Sequence, residues 1–152
     1  MSSFFNSYFF IFLAILAGMA MPTQAAINNK LAGYVESPVL AAFISFAVGT
    51  LALFLYILAT GVSFGNLFSA KNASPIVWIG GILGAFFVAS TVILVPRVGV
   101  ALTFSLIIAG QMLVTLLIDH FAWLGVPEKP LNLWRVLGAT LITIGVVLIR
   151  KF

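Results

Sequence analysis

Pro38–Gly61 reads PVLAAFISFAVGTLALFLYILATG, without one charged side chain. It is far longer than a strand, and it lacks the strict alternation of a half-buried sheet. A helix crossing the roughly 30 Å hydrocarbon core of a bilayer needs about 20 such residues. This stretch therefore predicts a membrane span, and the rest of the chain can be read against it.

The composition extends that reading. Of 152 residues, 63% are hydrophobic and 7% charged, with a mean hydropathy of +1.26. Soluble domains hold about 45–50% apolar and about 25% charged residues. Disorder is excluded by the apolar excess, and a disulfide framework by the absence of cysteine. The ten charges stand at Lys30, Glu36, Lys71, Arg97, Asp119, Glu128, Lys129, Arg135, Arg150 and Lys151. Between them fit five spans, at about 5–28, 38–61, 75–95, 98–123 and 131–149. The predicted fold is an all-α membrane protein forming a single transmembrane domain over 1–152, since lipid tolerates only helices or closed barrels. Phe9–Met21 followed by Thr23-Gln24-Ala25 resembles a signal-peptide core and cleavage site. A signal peptide wants a basic n-region, however, and no Lys or Arg precedes Lys30, so the segment is expected to remain as the first span.

Five crossings put Lys71, Lys129 and Arg135 on one membrane face. Lys30, Arg97, Arg150 and Lys151 fall on the other. Lys and Arg asymmetry orients membrane proteins, and three against four is almost no asymmetry. One reading is a single orientation fixed by something other than this count. The other, favoured here, is dual topology: chains insert both ways and pair as an antiparallel homodimer of ten helices. An odd helix number gives such a pair the inverted-repeat symmetry on which many transporters build alternating access.

Polar and small residues are patterned inside the spans. Ala41, Ser45 and Gly49 recur every fourth residue, as do Gly80 and Gly84, and Ala14 and Gly18. That spacing lets helix backbones approach closely, within one chain or between subunits. Pro22 removes an amide hydrogen and frees the Gly18 carbonyl. Gln24 and Asn28 lie one turn apart on one face. Amides in lipid need partners or a wet cavity, so these two are candidate pathway residues; the competing reading is polar glue between helices. In the fourth span Gln111, Thr115 and Asp119 form one stripe, making Gln111 and Thr115 further pathway candidates. Asp119 and His120 are candidates for proton coupling. Arg135 lies near the same face, and an interfacial Asp119–Arg135 ion pair is the preferred alternative. Glu36, beside Ser37-Pro38, reads as a solvated cap. Trp78, Trp123 and Trp134 fall at span ends on one face, with Tyr8 and Tyr56 nearby, as an interfacial belt. Phe4, Phe5, Phe9, Phe10 and Phe12 read as facing lipid or a partner. One histidine, three acids and no cysteine leave no basis for a metal centre or nucleophilic triad. No enzyme activity, cofactor or nucleic-acid partner is expected.

Five segments carry a family resemblance: GMAMPTQAAIN (18–28), SPVLAAFISFAVGT (37–50), GGILGAFFV (80–88), PRVGVALTFSLIIAGQ (96–111) and LIDHFAWLG (117–125). Together they resemble the YdcZ-type branch of the drug/metabolite transporter superfamily, bacterial inner-membrane proteins of five helices. The resemblance implies an exporter occurring as single five-helix chains, paired chains or fused ten-helix forms with inverted halves. A related small multidrug branch exchanges drug for protons at a glutamate in its first helix, where this chain offers only Gln24 and Asn28. The expected function is therefore export of a small amphipathic or neutral solute by alternating access. A passive dual-topology pore and a non-transporting accessory subunit are the alternatives.

Overall fold

The computed structural model describes residues 2–152, with side chains described from Ser7 onward. Among the described residues, five helical segments are long and apolar enough to cross a membrane: Ser7–Val35, Pro38–Thr60, Pro75–Val98, Val100–His120 and Leu133–Lys151. We label the α-helices α1 (Ser2–Val35), α2 (Pro38–Thr60), α3 (Ile79–Val98), α4 (Val100–His120) and α5 (Leu133–Lys151). The chain divides into two compact units, Met1–Arg97 and Val98–Phe152.

In the first unit, α1 and α2 pack as an antiparallel hairpin around a two-residue turn. Glu36 takes a left-handed φ of 53° and ends α1. Ser37 then caps α2, its side chain accepting from the Leu40 amide at 3.3 Å, with Pro38 in the first helical turn. Proline there costs no hydrogen bond, because that amide has no helical acceptor. The core of this unit is Ala41, Ala42, Val88 and Val92, flanked by Leu31, Ala32 and Val35 from α1. Small side chains at Ala41 and Ala42 let large ones close over them. Gly84 of α3 admits the Phe46 ring, 3.5 Å from where a Cβ would stand.

α1 runs well past Asn28, its expected end. Asn29–Val35 holds no proline and its single glycine, Gly33, is carried within the helix, while Lys30 sits exposed on its surface, where a long stem can carry its charge outward. The connection after α2 is also more ordered than a loop. Gly61 closes α2 at a left-handed φ of 69°, and a 3-10 helix follows at Phe64–Asn72. The third span begins with a 3-10 turn, Pro75–Trp78, and α3 continues through Pro96 to Val98. Pro96 removes the amide that would bond the Val92 carbonyl, and with only two helical residues after it the break falls at the very end of α3.

In the second unit, α4 and α5 pack against each other. α4 starts directly after Gly99, whose φ of 84° is readily adopted only by glycine. It stops at His120 rather than near Trp123, because Ala122 and Leu124 adopt left-handed φ values of 50° and 59°. The 121–132 loop is tied back to the helix end at several points. The Lys129 amide donates to the Asp119 carbonyl at 2.8 Å, and the Leu131 amide to His120 Nδ1 at 3.3 Å. Asn132 caps α5 by accepting from the Arg135 amide at 2.9 Å. The Arg135 guanidinium donates to the Lys129 carbonyl at 2.6 Å and pairs with the Asp119 carboxylate. Both ionic side chains are partly buried, 26% and 22% exposed.

Two outcomes follow from this geometry. Glu36→Gly should stabilise the α1–α2 hairpin by about 1 kcal/mol, since glycine escapes the left-handed penalty; a raised thermal-shift midpoint in detergent checks it. Asp119→Ala should cost about 1–3 kcal/mol by leaving a half-buried guanidinium unpaired. Asp119→Ala with Arg135→Met should recover most of that loss, as read by the same thermal shift in a double-mutant cycle.

Candidate functional site

The site is built on the facing sides of α1 and α2. Their close approach leaves a groove of about 560 Å³. Its polar lining comes from Thr23, Gln24 and Asn28 of α1 and Ser45 of α2. The remainder is apolar, with Leu16, Met19 and Ile27 on one wall and Ile44 and Val48 on the other. Gln24 also lines an adjoining cavity of about 200 Å³ with Ser45, Gly49 and Thr50. No charged side chain reaches either one.

The polar groups differ in what they have left to offer. Thr23 donates back to the Met19 carbonyl at 2.9 Å, one turn earlier in a helix that passes through Pro22. Its hydroxyl proton is committed. Gln24 is exposed to the groove and has no hydrogen-bond partner among the described residues. Asn28 is only 3% exposed, yet its Nδ2 has no hydrogen-bond partner. An uncompensated buried donor costs about 1–3 kcal/mol, and such groups call for an explanation when they occur. Gln24 and Asn28 are thus brought together as the sequence spacing predicts, one open to the groove and one in its floor.

The other candidates fall elsewhere. Gln111 and Thr115 lie on an exposed face of α4 in the second unit. Thr115 Oγ1 donates to the Gln111 carbonyl at 2.5 Å, leaving the Gln111 side chain as the free amide of the stripe. Asp119 and His120 are both engaged in closing the 121–132 loop, as described above. An Nδ1 that accepts from a backbone amide carries no proton, so that bond needs neutral His120 with the proton on Nε2. Ala41 is fully buried, whereas Ser45 and Gly49 of the same stripe open onto the cavities. Gly84 packs against Phe46, and around Gly80 there is open space. Trp78, Trp123 and Trp134 are all more than half exposed, as interfacial rings should be. Phe9, Phe10 and Phe12 are exposed too; Phe4 and Phe5 lie outside the described side chains.

Sequence reasoning had placed Ser45 in a packing stripe and not in the groove. The packing of α2 against α1 brings Ser45 to the groove that Asn28 also lines, while Ala41, one turn earlier on the same stripe, is buried in the core. Thr23 lines the groove with no sequence signal that separates it from its neighbours.

Comparison with known proteins places the chain in a family. The family model described as "Putative inner membrane exporter, YdcZ" matches residues 9–148. The chain is 29% identical over 140 residues to the inner membrane protein YdcZ of Escherichia coli (strain K12), covering 90% of this chain and 91% of the relative. No solved structure matches. With nearly every residue inside the match and five membrane-length helices in the fold, the chain belongs to the YdcZ family of the inner-membrane exporter class and is a multi-pass protein of that membrane.

Proposed function

We propose that this chain is an exporter of a small amphipathic or neutral solute, working by alternating access as an antiparallel homodimer. The observation that carries the reading is the α1–α2 groove, with an uncharged polar floor in a chain of an exporter family. Most polar side chains of the spans are spent within their own helices, so unspent amides at a cavity favour a role in binding. Groove volume supports it too, since small-molecule sites measure about 300–1,000 Å³. Gln24 and Asn28 are the principal pathway residues. Gln111 and Thr115, exposed on α4, would add a second polar surface to the pathway. Asp119 and His120 serve as anchors of the 121–132 loop, ahead of any part in proton coupling, because each already holds a partner there.

Dual topology rests on the cation balance. The α1–α2 turn and the end of α3 carry Glu36 and Arg97 at one end of the first unit, around a shared cavity, while Lys71 lies in the connection beyond α2. In the second unit Lys129 and Arg135 sit at one end of the α4–α5 pair, with Arg150 and Lys151 at the other. Neither unit concentrates its cations on one face strongly enough to orient the chain.

Two experiments test the proposal. The protein has no cysteine, so Asn66→Cys provides a single label between α2 and α3. Impermeant maleimide should reach about half the molecules from each side of sealed vesicles; labelling from one side alone refutes dual topology. In proteoliposomes, saturable counterflow of radiolabelled chloramphenicol, a neutral amphipathic solute, should fall about tenfold in Gln24→Ala, the equivalent of about 1.4 kcal/mol of binding, with dimerisation by cross-linking unchanged. Loss of assembly instead would make Gln24 a packing residue. Rates above about 10⁵ per second, beyond μs–ms domain motions, would indicate a pore.

A further inference from the structure

We infer that the α1–α2 groove selects a neutral solute presenting a hydrogen-bond acceptor, a carbonyl or ether oxygen, which docks on the side-chain amide of Asn28. This deepens the reading of the groove as the solute path and depends on it. Asn28 is nine-tenths buried and lines the groove, and its Nδ2 has no partner. The carbonyls of α1 beside it serve their own helix, and that of Met19 also takes the Thr23 hydroxyl. Gln24 and Ser45 share the groove and carry acceptors, but neither bonds Nδ2, which is left for an acceptor brought by a solute. Asn χ2 is soft, so a turn of the amide exchanges its two ends and presents the donor to the groove.

The charge pattern narrows the class further. A cation entering the groove would leave water with no carboxylate to replace it, and an anion would meet no Lys or Arg; the desolvation cost is large for either. A neutral oxygen loses little and gains a bond from a donor that otherwise has no partner. Leu16, Met19 and Ile27 across from Ile44 and Val48 accept the hydrocarbon remainder. Gln24, at the edge of the groove with both donor and acceptor, accommodates a second neutral polar group such as a hydroxyl. The same acceptor chemistry could come from a second copy of the chain, but the groove is a concave volume between two helices of one chain, of a size that suits a small molecule.

The test uses the full chain in lipid nanodiscs with ¹⁵N-labelled asparagine side chains. Three probes share an apolar body: 2-octanone offers an acceptor, heptylammonium a cation and octane neither. The Asn28 amide resonance, assigned by its loss in Asn28→Leu, should move saturably with 2-octanone and stay still with the other two. Binding of 2-octanone should weaken about tenfold in Asn28→Leu, the scale of one buried hydrogen bond, while octane binding is unchanged. Asn28→Asp should reverse the preference, favouring heptylammonium. The wild-type comparison of probes needs no variant, so a misfolded substitution leaves it intact. Equal affinity for ketone and alkane overturns the inference. So does an amide resonance that shifts on subunit dilution and ignores the ketone, because the second copy would then be its partner. Ketone selectivity without flux sinks only the transport reading, and flux without selectivity sinks only this one.

Discussion

Hydrocarbon supplies no hydrogen-bond partners, so each polar group within a span must find one on its own chain or open onto a cavity. That constraint shapes nearly every local feature of this fold. Helix formation satisfies most backbone groups of the five spans, with Pro22 and Pro96 each leaving one carbonyl without its helical donor. Hydroxyls follow the same rule one level down: Thr60, Thr103, Ser105, Thr140 and Thr143 each donate to the carbonyl four residues earlier. A hydroxyl can do this because it is short and its proton rotates freely. A longer amide carries two donors and an acceptor on a planar group, too many to satisfy on its own helix. Gln24, Asn28 and Gln111 stand out for that reason.

The charged groups are handled differently. Asp119 and Arg135 neutralise one another beside the end of α4, and the guanidinium also holds the Lys129 carbonyl. A half-buried ion pair of this kind adds little net stability against an apolar replacement, yet it fixes a geometry. Here that geometry is the return of the chain from α4 to α5, through a loop with two non-glycine residues in the left-handed region. The second unit thus commits its charges to architecture. The first keeps an uncharged amide without a partner at the floor of its groove. The alternatives named in the sequence reading, coupling through Asp119 or His120, must work against bonds that these residues already make.

Much of this was legible in the chain alone, for a physical reason. Ten charges in 152 residues are so few that the uncharged stretches between them announce the spans, and helical spacing puts Gln24 and Asn28 on one face. Span ends were less legible. Lys30 reads as a boundary in composition, but its stem lets it ride on the surface of a helix that continues to Val35. Trp123 reads as part of a span, but Ala122 and Leu124, on either side of it, turn the chain out of the helix. Left-handed conformations at alanine and leucine have no sequence signature; they are imposed by the ties that close the loop.

By itself, the sequence determined that the chain lives in a bilayer, that it crosses as helices, and that it carries amides but no acid in its first span. These are one-dimensional properties, set by the transfer cost of each side chain. Tertiary structure decided which amide is buried and which is open. It also decided that Ser45 faces the groove while Ala41 faces the core, and that Asp119 is spoken for by Arg135. Those outcomes depend on the rotation and closeness of neighbouring helices, which arise only when small side chains such as Ala41, Ala42 and Gly84 let the packing close around them.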